Sequence, residues 1–134
     1  MVSYAKPLPA ITPLTEPFWR HARERRLAVQ VCAACGDMHF PPVPHCPKCL
    51  STEQSWQAVS GNGTVESWID VHRAYWDGFK AELPYRVCLV RLDEGPLLVS
   101  NLPIDSAPRC GARVRVVFET ATPEITLPKF AVDA

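Results

Sequence analysis

The sequence predicts a mainly β chain built from one N-terminal helix, a metal-binding ribbon and a small barrel. Three observations carry this. Cys32, Cys35, Cys46 and Cys49 stand in a C-x2-C-x10-C-x2-C pattern. Beyond Trp56, apolar and polar residues alternate along several short runs. Fourteen prolines against six glycines favour rigid loops and short strands over long helices.

Residues 1–14 carry Pro7, Pro9 and Pro13 and are expected to form an extended arm that orders only by docking. Thr15-Glu16-Pro17 reads as a helix start: a capping residue, an acid in the first turn, and a proline whose missing N–H costs nothing there. The helix is expected to reach about Arg26, with Phe18, Trp19 and Ala22 on one side and Arg20, Arg23, Arg25 and Arg26 on the rest. A strand from Leu27 to Val31 then leads to the first cysteine. Arm and helix make up a first segment, residues 1–26.

Two Cys-x-x-Cys hooks can hold one tetrahedral ion through sulfur alone, at about 2.3 Å per Zn–S bond. Four thiolates leave no position open for water or substrate, so such an ion shapes the chain and performs no chemistry. Gly36, directly after the first hook, accommodates the positive φ of a turn whose N–H groups point at sulfur. Lys48, inside the second, offsets part of the cluster's negative charge. Between the hooks, CGDMHFPPVPHC can form one compact hairpin, with His39 and His45 expected as loop residues and not ligands. The ribbon is assigned to residues 27–55. Zinc is the expected structural ion; iron competes, because an all-sulfur tetrahedron also holds a redox-active iron. MVSYAKPLPAITP lacks the apolar stretch of a secretory leader, and no apolar run approaches the ~20 residues that span a bilayer. Reduced thiols that bind metal, a cytoplasmic setting and no membrane partner are therefore expected.

In Thr64–Val71 the alternation puts Val65, Ser67, Ile69 and Val71 on one face and Glu66, Trp68 and Asp70 on the other. Pro84–Leu92 puts Cys88, Val90 and Leu92 on one face, Pro96–Leu102 is shorter and more apolar, and Arg113–Glu119 turns Val114, Val116 and Phe118 inward. Gly61-Asn62-Gly63 supplies the tight start or bulge that a strongly curved strand needs. Four or five such strands without helical punctuation fit a five-stranded OB-fold barrel over residues 56–134.

Chemistry is harder to find. The formal net charge is zero and the pI near 6.9, whereas a dedicated nucleic-acid-binding domain is basic, with a pI above about 9. G-x-S-x-G, P-loop and dinucleotide motifs are all missing. Cys88 falls mid-strand on a core face, and Cys110 lies in a turn before Gly111. A nucleophile needs an activating base within hydrogen-bond reach, and of His21, His39, His45 and His72 only His72 could approach Cys88. Asp93-Glu94-Gly95 resembles a carboxylate pair but reads as a hairpin turn. No catalytic residue is assigned. One segment, residues 72–80 (HRAYWDGFK), is dense in the aromatics and cations enriched at contact surfaces. Its Arg73, Trp76, Phe79 and Lys80 would suit an adenine ring with phosphates, the alternative being that the rings plug a barrel end. The arginine face of the helix could likewise meet phosphates, although a charge run is ordinarily just solvated.

In this order the pieces resemble a known microbial family, the rubredoxin-like zinc ribbon plus OB-fold proteins associated with acyl-CoA metabolism. The stretches that carry the resemblance are EPFWRHARERRLAVQVCAACGDMHFPPVPHCPKC, GNGTVESWIDVHRAY, PYRVCLVRLDEGPLLVSNL and GARVRVVFETATPEITLPKF, nearly the whole chain. The resemblance implies a non-catalytic accessory subunit of a thiolase-type enzyme (acetyl-CoA acetyltransferase, aldolase or acyltransferase) or of a hotdog-fold hydratase. It further implies that ribbon or helix docks on that partner while the barrel helps form a site for CoA or acyl-CoA. Composition adds Trp19 and the proline arm as docking elements, and Arg73, Trp76, Phe79 and Lys80 as the ligand side. A single-stranded nucleic-acid binder and a rubredoxin-like electron carrier are the competing readings.

Overall fold

The computed structural model describes residues 6–133, so the first five residues of the expected arm lie outside the described residues. Helix α1 spans Glu16–Arg23, with Pro17 in its first turn. Thr15 does not cap it: its hydroxyl donates to the Ala10 carbonyl (3.1 Å) and accepts from the Thr12 N–H (2.9 Å), stitching the preceding turn instead. The helix also stops short of Arg26. Arg25 takes a left-handed backbone (φ 63°), its N–H bonding back to the Ala22 carbonyl (2.9 Å) and that of Arg26 to the His21 carbonyl (2.9 Å). That pair of bonds is a Schellman stop.

α1 lies against the rest of the chain through Phe18, Trp19 and Ala22. Phe18 and Trp19 meet edge to face with ring centroids 4.8 Å apart. Trp19 is only 9% exposed. It is a core residue and not a docking element, because the apolar stripe of a short helix is what fixes it to its own domain. The arginines are engaged as well: Arg23 donates to the Glu124 carbonyl (3.0 Å), and Arg25 to the Phe118 carbonyl (3.0 Å) and the Thr120 hydroxyl (3.2 Å).

Two antiparallel sheets follow. β1 (Leu27–Cys32), β2 (Met38–His39) and β3 (Gln54–Val59) form the first, in the order β2-β1-β3. β4 (Asn62–Val71), β5 (Tyr85–Leu92), β6 (Leu97–Leu102), β7 (Arg113–Thr120) and β8 (Thr126–Val132) form the second, in the order β6-β5-β4-β7-β8. The fold is thus mostly β: one helix, a four-cysteine ribbon and a five-stranded OB-like sheet. Residues 72–80 are not a plain loop; a 3-10 helix, Asp77–Glu82, connects β4 to β5.

In β4 the inward set differs from the simple alternation. The β4–β5 register shifts between Val65 and Ser67, and a bulge of this kind moves every later side chain to the opposite face. Val65 is buried, Trp68 packs on the core, and Ile69 is 62% exposed. One continuous core joins Phe18 and Leu27 of the helix and ribbon to Val90, Val114 and Phe130 of the barrel. Helix and β1 are therefore held by the barrel's apolar interior, whatever happens at the cysteines.

Candidate metal centre and barrel cleft

Cys32 is the last residue of β1, and the two hooks fold alike. In the first, the Gly36 N–H donates to the Cys32 carbonyl (2.8 Å) and the Cys32 N–H to the Asp37 carbonyl (2.9 Å). In the second, the Leu50 N–H donates to the Cys46 carbonyl (2.9 Å) and the Cys46 N–H to the Ser51 carbonyl (2.9 Å). Each hook turns at the residue after its second cysteine, with φ 80° at Gly36 and 66° at Leu50.

The outcome is a single cluster. All four Sγ atoms lie within 4.8 Å of one another, with Cys32 and Cys49 at 3.5 Å and Cys35 and Cys46 at 3.6 Å. Sulfurs on a tetrahedron of ~2.3 Å Zn–S bonds stand about 3.8 Å apart, so the donors already sit near ligand spacing. The Lys48 N–H points at Cys46 Sγ (3.4 Å), as an N–H donor to a metal thiolate would.

The thiols compete for charge. Backbone N–H groups of Cys35 and Ala34, helped by neighbouring thiols, outweigh desolvation at Cys32 and bring its thiol down to about 6. Cys35 accepts from the Asp37 N–H, yet desolvation and proton sharing with Cys46, Cys49 and Cys32 push it up to about 12. Cys49 is also raised: the Ser51 N–H favours its thiolate, but Cys32 and desolvation prevail. One thiolate forms easily and the next ones do not, unless a cation neutralises them. This donor set fits a thiophilic divalent ion of the zinc class.

His39 and His45 part company. His45 is exposed, whereas His39 lies in β2 and is buried, so it is not a loop residue. Its Nε2 stands 3.1 Å from Gln30 Oε1, which also accepts the Val43 N–H at 2.8 Å. Its Nδ1 faces an Asp37 oxygen at 3.3 Å, and Lys48 Nζ lies 3.6 Å from the same carboxylate. The strand register sets this up, because Gln30 pairs directly with His39. Gln30 and Asp37 were missed in the sequence, where no periodic signal marks a polar residue that pairs with a buried histidine.

A second feature is a cleft of about 580 Å³ at one end of the barrel, bordered by the 3-10 helix, β5, β6 and β8. Its apolar wall includes Phe79, Leu83, Tyr85, Leu102, Ile104 and Phe130. Phe79 stacks on Tyr85 with centroids 4.8 Å apart. Three cations border it, and each faces a carboxylate. Lys6 meets Glu82 at 2.7 Å and lies over the Phe79 ring. Lys129 meets Glu119 at 2.5 Å. Arg86 grips Asp70 through two bonds of 2.6 and 3.0 Å and donates to the Ser106 carbonyl at 2.8 Å. The Arg86 hydrogen bonds hold the Asp70 carboxyl below the usual carboxylate range.

The four residues grouped from the 72–80 segment separate here. Phe79 lines the cleft; Arg73, Trp76 and Lys80 do not. Arg73 lies over the Tyr75 ring (5.1 Å), Lys80 meets Asp77 (3.3 Å), and Trp76 is 58% exposed. Cys88 is buried between its cross-strand neighbours Trp68 and Ser100, with no histidine opposite. Desolvation pushes its thiol up to about 11, the wrong direction for a nucleophile. Cys110 is exposed in the turn before Gly111. Among the described residues, no helix is long and apolar enough to cross a membrane.

Comparison with known proteins agrees with this architecture. Residues 19–53 match the family profile of the ChsH2 rubredoxin-like zinc ribbon domain, and residues 56–119 that of the ChsH2 C-terminal OB-fold domain. The chain is 40% identical over 128 residues to a probable enoyl-CoA hydratase alpha subunit of Thermomonospora curvata, covering 93% of this chain but only 39% of that protein. It is 35% identical over 105 residues to a DUF35 domain-containing scaffold protein of Methanocaldococcus jannaschii, covering 75% of this chain and 73% of the relative. Among solved structures it resembles a chain of the Ltp2-ChsH2(DUF35) aldolase, at 38% identity and a TM-score of 0.81, over 93% of this chain and 98% of that one.

Proposed function

This chain belongs to the DUF35 family, with the zinc ribbon and OB-fold domains of the ChsH2 type, and we propose that it is a non-catalytic scaffold subunit of an acyl-CoA-processing enzyme. The carrying observation is the closed four-sulfur cluster: a metal site without an open position cannot bind or activate a substrate. Beside it, Cys88 has Trp68 and Ser100 as its cross-strand neighbours and no histidine opposite it. Relatives described as scaffold proteins, and one solved within an aldolase, support a role beside an enzyme.

The partner in this reading is a thiolase-type subunit, whether acetyl-CoA acetyltransferase, aldolase or acyltransferase, or else a hydratase. It supplies the nucleophile and the bases, and this chain supplies shape. Cys32, Cys35, Cys46 and Cys49 hold a structural zinc. We place residues 1–26 as arm and helix, 27–55 as ribbon and 56–134 as barrel, with β3 reaching back across that boundary to pair with β1. The barrel borders the acyl-CoA site. Phe79 and its cleft are the stronger candidate contact, since the cleft's size and apolar wall suit a small-molecule chain. Its paired cations favour the uncharged part of such a ligand over the phosphates.

Co-expression with the thiolase-type subunit tests this. The chain alone should hold one equivalent of zinc, lack iron's colour and turn over no thioester. The pair should co-purify and gain activity or solubility over the partner alone. A partner that works equally well by itself would overturn the reading.

A further inference from the structure

An antiparallel strand turns its N–H and C=O groups to either side at alternate residues, and a side that meets no other strand is a template for one. Most such sides in this fold are blunted. β2 is only 2 residues long. β6 and β8, the edges of the second sheet, are linked to each other through the Ser100 hydroxyl. Where β7 runs on past β4, its Phe118 carbonyl is taken by Arg25. Beyond Val65, β4 carries the charges of Glu66 and Asp70.

β3 has no such guard. It is an outer strand of the first sheet, paired with β1 alone. The Ala33 N–H donates to the Glu53 carbonyl at 2.8 Å, which fixes the phase of that ladder. Glu53, Ser55, Gln57 and Val59 bond toward β1, and Gln54, Trp56 and Ala58 turn their backbone groups outward. Among the described residues, none of these outward groups meets a partner. From Gln54 to Val65 the chain holds neither a charge nor a proline, the devices that keep an open edge from pairing. Trp56 and Val59 pack on the core, so the strand is held in place before anything adds to it.

We infer that β3 is a self-association edge, on which a second copy of this chain pairs antiparallel about a twofold axis at Trp56 and joins the two ribbon sheets. This is independent of the scaffold reading. The register follows from the phase of the open groups. With Trp56 opposite Trp56, Gln54 of one copy meets Ala58 of the other, so every outward group finds a partner, two bonds at each pair. Between these pairs Ser55 faces Gln57, hydroxyl against amide. A twofold axis sets like against like and so excludes charge close to it. The uncharged run meets that demand, and Glu53 falls opposite Val59. A strand of another protein would need no such neutrality, since an opposite charge on it could answer one on β3. Zero formal net charge also removes repulsion between copies.

The test is sedimentation equilibrium of the full zinc-loaded chain across a concentration series. Wild type should associate to twice its monomer mass in the micromolar range. Two double variants set like charges across the axis: Ser55→Lys with Gln57→Lys, and Ser55→Glu with Gln57→Glu. Both positions are exposed, so the core is untouched. Each variant should self-associate at least roughly tenfold more weakly, and an equimolar mixture of the two should regain the dimer, which misfolded chains would not do. In wild type alone, the Trp56 and Ala58 amides should gain hydrogen-exchange protection as concentration rises. A monomeric wild type would overturn the inference. So would double variants that still dimerise, or a mixture that stays monomeric. If wild type is monomeric alone but these substitutions release a co-expressed enzyme subunit, β3 takes a foreign strand and the inference fails.

Discussion

Ser100 and Pro128 face each other across the seam of the barrel, the serine hydroxyl donating to the proline carbonyl at 2.8 Å. They sit on β6 and β8, the two edges of the five-stranded sheet. Pro128 has no N–H with which to extend a ladder, so a side chain makes this link between edges. Ser100→Ala should cost about 1 kcal/mol, read as a lower urea midpoint at unchanged slope. Hydrogen exchange in β6 and β8 should rise more than at Val65 or Val114. Equal exchange across all five strands would mean that the seam is closed by packing alone.

Gly63 makes the opposite kind of contact, one with no room in it. A Cβ there would stand 2.6 Å from the Arg91 carbonyl oxygen and 2.7 Å from a Val90 methyl. Val90 could rotate, but the carbonyl belongs to the paired strand and can retreat only by breaking the β4–β5 ladder. Gly63→Ala is expected to destabilise by about 3 kcal/mol. A denaturation curve within about 1 kcal/mol of wild type would show that β4 shifts freely.

Much of this was legible in the sequence, for identifiable reasons. Cys32, Cys35, Cys46 and Cys49 could be grouped because the chemistry is carried by residue type and short spacing. Cys88, Val90 and Leu92 could be placed inside because a regular strand keeps period two. Ile69 could not, since the bulge at Val65/Ser67 leaves no mark in composition. Trp19 was mistaken for a docking residue because an exposed and a buried tryptophan look alike until the helix is packed. Arg86 and Asp70 lie 16 positions apart and meet only through the β4–β5 register. The Phe79 cleft was half visible: its aromatic was found, but its other walls come from strands distant in sequence.

The Asp70–Arg86 pair predicts an acid sensitivity. The Arg86 hydrogen bonds lower the folded-state pKa of Asp70, so the unfolded chain binds that proton more readily. The resulting stability is fully present above the unfolded carboxyl value of about 3.9 and is lost as pH falls through the folded value. Asp70→Asn should therefore be less stable than wild type at about pH 6, with the gap closing as pH falls below the unfolded carboxyl value and through the lower folded one. Urea midpoints of both proteins across that range check it. Taking the difference between them removes the contribution of metal release, which acid causes in both. A gap independent of pH would place the loss in packing and not in the ion pair.

Metal removal should divide the molecule in two. Apparent binding free energies for structural zinc run to roughly 10–16 kcal/mol, more than a short hairpin gains from burial. Between Cys32 and Leu50 only Cys32, His39 and Cys46 are buried, and two of those are ligands in this reading. The flanking β1 is different, because Leu27 and Val29 belong to the core shared with Val90 and Phe130. A chelator should thus abolish hydrogen-exchange protection over residues 32–50 while β1, α1 and β4–β8 stay protected. Cys46→Ser should reproduce the pattern in zinc-replete buffer, since three sulfurs no longer close the tetrahedron. Collapse of the whole chain on chelation would mean that the barrel depends on the ribbon. The shared core argues the reverse: the barrel holds the ribbon's base, and the ion holds its tip.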